Sequence, residues 1–340
     1  MTHPIVQQSK TTVWNFWQRC NQAPGRIGDL LDEFMDEDIL WQGPHPFNNI
    51  QGRDALYREL WQPLLRSFPD LHKRTYLFLG GQVGPEVHKL EDTQDWVAGM
   101  GDYIGTFAED FLGIPATGQT VHFRFGEFSR LVDGKIVEIY TLFDIISLMK
   151  QAGVDVVPPS PGREIWVPGP MAGNGVLLEP QDEQESQKSF QVLYNMLFKG
   201  MQYDKTDREK PGMEGHWTED MVWYGPSGIG SAFGMEEFYR NAQGPIVAGH
   251  PDRIGGFHKA RFGEGHCAAM GGLRALQGTH TGEFMGIAPT GNRVEWRIMD
   301  FYTRRDDLLH EDWVLVDLLY ACLQIGVDLL ERVKGLREAA

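Results

Sequence analysis

The sequence predicts an α+β protein made of one domain written twice. GTFAEDFLGIPATGQTV (105–121) and GTHTGEFMGIAPTGNRV (278–294) are identical at eight of seventeen positions. The spacing of 173 residues between them continues without a gap through Arg124/Arg297, Phe128/Phe301, Asp133/Asp306, Glu138/Glu311 and Asp144/Asp317. Each copy also passes from helical periodicity into long strand-like stretches, the pattern of helices packed on one face of a sheet. A repeat of this length has to be recognised before any single element is assigned.

In copy one, Val13, Trp14, Phe16 and Trp17, then Ile27, Leu30, Leu31 and Phe34, recur at helical spacing with a break at Pro24-Gly25. Phe190, Val192, Leu193, Leu197 and Met201 form the matching stripe of copy two, and the polar run 203–215 predicts an exposed loop. DEDILWQGP (36–44) and TEDMVWYGP (218–226), 182 residues apart, each predict a short strand entering a Gly-Pro turn. Residues 52–71 and 234–253 each predict a helix ending in a Pro-Asp turn. The offset then falls from 182 to 173, which gives copy one nine extra residues, placed by their polarity at 86–95. Two long strands follow in each copy, over 121–144 and 294–317, and Asp133-Gly134 is a strong hairpin signal. A helix closes each copy, at about 145–152 and 318–334. Residues 156–185, with six prolines and four glycines, read as a linker lying along the surface through Ile165, Trp166 and Val167. The expected domains are 10–155 and 186–335.

A chain of 340 residues can bury two cores of ordinary size. Its net charge of -16 argues against nucleic acid or an anionic membrane as partner, because both demand clustered Lys and Arg. Cys20, Cys267 and Cys322 are dispersed and lack CxxC spacing, as expected of reduced thiols rather than a disulfide framework or metal site. No basic segment followed by an apolar run opens the sequence, and no apolar stretch approaches the roughly 18 residues of a membrane helix. The expectation is a soluble, cytoplasmic protein. No phosphate loop, dinucleotide fingerprint, Ser-His-Asp arrangement, HExxH or metal cluster is readable.

If 132–135 is a tight turn, Phe123 faces Asp144, Phe125 faces Leu142 and Glu127 faces Tyr140. Copy two repeats this with Trp296 and Asp317, Ile298 and Leu315, Asp300 and Trp313. Strand alternation then sets carboxylates among aromatic and aliphatic groups on one face. A curved sheet with such a face, closed by a helix, makes a pocket. A carboxyl desolvated there has a raised pKa and suits general acid or base work. Asp144 and Asp317 suit a second role as N-caps of the helices that follow them, and the two roles are compatible. His45 lies on a loop edging the pocket, Trp41 and Trp223 are matched wall or core aromatics, and His280 is the candidate for chemistry within the repeated motif.

With these residues in view, the chain resembles the SnoaL-like polyketide cyclase family of the nuclear-transport-factor-2-like superfamily. The resemblance rests on SFPDL (67–71), on GTHTGEFMGIAPTGNRV, and on one order of residues in both copies: Glu138, Tyr140, Asp144, Gln151, Gly153 and Glu311, Trp313, Asp317, Gln324, Gly326. It implies a cone-shaped, strongly curved antiparallel sheet wrapped around helices, with a pocket inside each cone. Such domains pair through their sheets, so the resemblance implies two tandem cones packed as an intramolecular pseudo-dimer, to which a homo-oligomer is a compatible addition. It further implies a cofactor-free enzyme whose acid/base Asp stands near the end of the last strand, here Asp144 and Asp317. The family's pocket histidine has no counterpart fourteen residues earlier, where Arg130 and Thr303 stand.

The expected function is a cofactor-independent acid/base enzyme, of cyclase, isomerase, lyase or hydrolase type, on a small apolar substrate inside the cone. Asp144, Asp317 and His280 are the catalytic candidates. His45, Trp41, Phe123, Glu127, Tyr140, Trp223, Trp296, Asp300 and Trp313 are the substrate-binding candidates, with no metal and no cofactor. The alternative is a non-catalytic small-molecule-binding or assembly module of the same fold.

Overall fold

The computed structural model describes residues 1–85, 92–201, 213 and 215–339. The loops expected at 86–95 and 203–215 fall mostly outside these residues. Copy one opens with the helices Pro4–Gln22 and Ile27–Phe34, the second amphipathic with Ile27, Leu30 and Leu31 buried. Strand β1, Met35–Gln42, and β2, Asn49–Gln51, follow. A helix then runs from Arg53–Leu56 through a π-helical turn, Tyr57–Trp61, into Gln62–Ser67. Pro63 has no N–H to give, and the loosened turn is closed by Gln62 N–H donating to the Tyr57 carbonyl five residues back. Strands β3, His72–Val83, β4, Gln94–Thr106, β5, Thr120–Val132, and β6, Lys135–Phe143, complete a six-stranded sheet of order β2-β1-β6-β5-β4-β3.

Copy two repeats this plan. The helix Glu183–Asn195, capped by Asp182, leads to β7, Trp217–Tyr224, and β8, Ala232–Phe233. A second π-helical turn, Tyr239–Gln243, again precedes a proline, Pro245. Strands β9, Ile254–Gly255, β10, Ala260–Glu264, β11, Cys267–Thr279, β12, Arg293–Arg305, and β13, Leu308–Val316, form the second sheet, in which β9 pairs with β11 beside β10.

The expected α+β class holds, with one correction: the sheets are mixed. β1 lies parallel to β6, and β7 parallel to β13, while the other pairs are antiparallel. The helices between β1 and β6 let the chain return in the same direction, which a tight hairpin cannot do.

The inner face of each sheet closes over its own helices, and the outer faces pack on each other. Phe128 meets Phe301 at 5.5 Å and Phe262 at 6.0 Å between ring centres, and the Tyr140 hydroxyl donates to the Gly272 carbonyl at 2.7 Å. Backbones approach closely here: a Cβ on Gly126 would stand 3.1 Å from Leu315, Met299 and Phe301. A buried ion pair, Lys10 to Glu264 at 2.7 Å, also joins the copies, and Glu264 accepts from Gly80 N–H as well. The segment between the copies runs along the outside, with Trp166 stacked on His122 at 3.9 Å. Among the described residues no helix is long and apolar enough to cross a membrane.

Candidate active site

The hairpin closes as expected at its tip. Val132 pairs with Lys135 around Asp133 (φ 48) and Gly134 (φ 77), the left-handed pair that a two-residue turn requires. One step later Val137 is left over as a bulge: Leu131 pairs with Ile136, but Arg130 pairs with Glu138 and Phe125 with Phe143. His310 is the extra residue in copy two, where Arg304 pairs with Leu309 but Thr303 with Glu311. A one-residue slip sends every side chain of a strand to the other face. Tyr140 and Trp313 therefore lie in the seam between the sheets and not inside the cones. Trp313 stacks on Tyr224 at 5.2 Å and donates from Nε1 to the Pro168 carbonyl at 2.8 Å.

Asp144 and Asp317 go with them. Asp144 caps its helix by accepting from Ser147 N–H at 3.2 Å, pairs with Arg124 at 3.3 Å and accepts from Ser227 N–H of copy two at 3.0 Å. Asp317 accepts from Tyr320 N–H at 3.0 Å, from Arg297 at 3.1 Å and from His45 N–H of copy one at 2.8 Å. Arg124 reaches the Gly225 carbonyl and Arg297 the Gly43 carbonyl, so the two clasps mirror each other. Burial raises the Asp317 carboxyl, and Arg297 and the two N–H donors oppose the shift. His45 thus enters through its backbone.

Cone one is filled. Phe68 stacks on Phe107 at 4.9 Å and lies 5.5 Å from Phe123, and Tyr103 lies 4.9 Å from Phe125. Glu127 is inside, as strand alternation predicts, but fully engaged. It accepts from Lys73 Nζ at 2.9 Å, from Trp17 Nε1 at 2.9 Å and from Ser129 Oγ at 3.3 Å. The Lys73 ammonium also sits 3.9 Å above the Trp17 ring. Burial lowers its pKa, and Glu127 holds it up. The space left beside Trp17, Trp61 and Tyr103 is about 10 Å³, room for one water at most. Trp41 is buried in the same core, edge-on to Phe47.

Cone two encloses a cavity of about 100 Å³. Trp223, Trp296 and Asp300 line it, together with Asp312, Gln243, Trp217 and His258, which sequence reasoning missed. In the observed register Asp300 pairs with Val314 and Tyr302 with Asp312, so the two carboxyls are diagonal neighbours on one face. Burial pushes the Asp300 carboxyl up to about 8, opposed by a hydrogen bond from Tyr302. Burial, and then the charge of Asp300, push Asp312 well above the usual carboxylate range. Asp300 Oδ2, Asp312 Oδ1, both ends of the Gln243 carboxamide and the indole nitrogens of Trp217 and Trp296 are buried without a hydrogen-bond partner among the described residues. Each of these five residues is more than nine-tenths buried.

His280 stands behind the cavity wall. It is buried, shares a hydrogen bond with Thr290 Oγ1 at 3.1 Å and stacks on His250 at 5.4 Å, which in turn meets Trp296 edge-on at 5.0 Å. Burial lowers both imidazoles, His250 to about 4, so both are neutral at pH 7. Asp312 was legible in principle, since the alternation that carries it is hidden by His310 alone. Gln243 carries no comparable signal.

The model of the SnoaL-like polyketide cyclase family matches residues 11–152 and 208–325. The chain belongs to that family, in two tandem copies. A crystal structure of a candidate SnoaL-like polyketide cyclase from Jannaschia sp. CCS1 is 20% identical, with a TM-score of 0.37, covering 46% of this chain and 98% of its own. Wild-type IdmH of Streptomyces antibioticus, described as a candidate polyketide cyclase, is 24% identical with a TM-score of 0.35, covering 43% of this chain and 99% of its own. A comparison with curated proteins finds no match.

Proposed function

We propose that cone two is the working site of a cofactor-independent acid/base enzyme acting on a small, largely apolar organic molecule. The observation that supports this most is the Asp300–Asp312 pair, two buried carboxyls on neighbouring strands in a mostly apolar cavity. Pairs of titratable groups whose surroundings push their pKa values apart divide acid from base work. Tyr302 steadies the ionised form of Asp300, while Asp312 lies under the charge of Asp300. Asp300 is therefore the base and Asp312 the acid.

The Asp300 carboxylate takes a proton from a carbon beside a carbonyl, and the C–H electron pair moves into the new C=C bond. The carbonyl oxygen takes the proton of Asp312, leaving an enol, a neutral Asp300 and an ionised Asp312. Return of a proton at another carbon gives isomerisation, and attack of the enol on a second carbonyl gives ring closure. Asp144 and Asp317 act as helix caps and interdomain clasps, and His280 supports the Trp296 wall through His250.

The filled interior of cone one favours the non-catalytic reading for that half alone. The test is Asp300→Asn, which keeps shape and removes the base. Turnover of a substrate found by screening enolisable ketones falls about 10²–10⁴-fold, and the kcat/KM of the unaltered enzyme rises with pH through about 8. Turnover that survives Asp300→Asn and Asp312→Asn sinks the assignment.

A further inference from the structure

The polar atoms of the cone-two cavity that lack partners describe what it holds. Beyond the two carboxyls, four such atoms belong to residues that line it: the Gln243 amide nitrogen, the Gln243 amide oxygen, and the indole N–H groups of Trp217 and Trp296. A buried donor or acceptor left without a partner keeps its desolvation cost, so a ligand that satisfies several of them at once is strongly selected over one that satisfies none. Indole N–H is a donor only, and the amide offers one of each kind. The set calls for two oxygens, at least one of them an acceptor carbonyl and the other able to donate.

Charge narrows the class. Among the described lining residues Arg253 is the one Lys or Arg, and Asp300 and Asp312 are two carboxyls. An added anion would then lie uncompensated in a low-dielectric space, which is costly. Size narrows it further. About 100 Å³ is less than the roughly 150 Å³ of an apolar pocket that takes up benzene.

We propose that the cone-two ligand is a compact, uncharged molecule bearing two oxygens on a short carbon frame, of the β-hydroxy ketone class, held by Gln243, Trp217 and Trp296. Its carbonyl oxygen accepts from one of these N–H groups and from Asp312, and its hydroxyl accepts from another N–H and donates to the Gln243 oxygen. The acid/base reading requires the carbon between the two oxygens to lie beside Asp300. The inference rests on the reading of cone two as the acid/base site.

The test uses the full chain with 4-hydroxybutan-2-one, and with butan-2-one and butanoate as single-oxygen and anionic controls. Binding is read by ligand-observed NMR and solvent deuterium wash-in at the carbon between the oxygens by mass spectrometry. The hydroxy ketone binds at least tenfold tighter than either control. Gln243→Leu, which keeps side-chain bulk, and Trp296→Phe, which keeps a ring and removes the indole N–H, weaken it about tenfold. Equal binding of the three probes, tighter binding of butanoate, or indifference to both substitutions overturns the ligand class. If Gln243-dependent binding is found but wash-in ignores Asp300→Asn, the ligand class stands and the acid/base reading fails. Wash-in that needs Asp300 but shows no preference for the hydroxy ketone sinks the ligand class alone.

Discussion

The two cones share a plan and differ in what fills them. At matched positions cone one has Phe123, Phe125, Phe143, Tyr103 and Trp61, where cone two has Trp296, Ile298, Val316, Leu276 and Gln243. Smaller groups at four of the five leave a cavity, and the rings of cone one pack face and edge into the same volume. The charges differ in parallel. Lys73 pairs across the strand from Tyr103, and Gly255 occupies that place opposite Leu276. With the ammonium present, Glu127 is a structural ion. Without it, the carboxyl at the matched position, Asp300, is raised and joined by Asp312 where copy one has Ile139. One lysine separates a buried ion pair from a carboxyl with a raised pKa.

That contrast can be broken from either side. Lys73→Met leaves Glu127 buried without its cation, and the loss is about 3–5 kcal/mol by urea denaturation. Adding Glu127→Gln to the same chain recovers most of it, while Glu127→Gln alone leaves turnover in cone two unchanged. A double variant as unstable as Lys73→Met would show that packing against Trp17, and not charge, is what Lys73 supplies.

Asp300 predicts the pH profile. In the unfolded chain it titrates near its ordinary value, about 3.9, and in the folded chain at about 8. Between those values the folded state keeps a proton that the unfolded state has lost, so this group's stabilising contribution is complete at low pH and falls as pH rises to about 8. Asp300→Asn flattens that part of the curve, so its melting temperature relative to the parent rises between pH 5 and pH 8. A constant difference across that range rules out a raised carboxyl.

Ile298→Phe with Val316→Phe copies the rings of Phe125 and Phe143 into cone two. Ligand binding there is lost, and stability changes by about 1–3 kcal/mol as the cavity closes. Binding that persists would place the ligand elsewhere. The smallest effect is expected of Asp317→Asn, which keeps a cap acceptor and removes the partner of Arg297. It costs about 1–2 kcal/mol and less than tenfold in turnover. A loss as large as that of Asp300→Asn would return Asp317 to the chemistry.

Much of the fold is written in local signals. The duplicated motif, the Asp133-Gly134 turn and the aspartates before the closing helices are short-range features, and the structure places each where its chemistry requires. The faces of β5 and β12 follow from alternation alone, which is why Phe123, Glu127, Trp296 and Asp300 point into the cones. The faces of β6 and β13 depend on a single surplus residue each, Val137 and His310, and nothing in their identity marks a bulge. That one step moved Tyr140, Trp313, Asp144 and Asp317 to the outer face and hid Asp312. Gln243 depends on a π-helical turn and on a wall contributed by distant strands, which no spacing along the chain records.

The mirrored clasps have a consequence for how such a protein can change. Between separate identical chains, any substitution that fills one cone fills its twin, and both centres are lost together. Here the Gly43–His45 and Gly225–Ser227 loops lock different halves of a single polypeptide. Each half is encoded separately and inherited with its mate. One cone is free to become a solid buttress while the other keeps its hollow, so every molecule carries one packed interior and one cavity in fixed proportion.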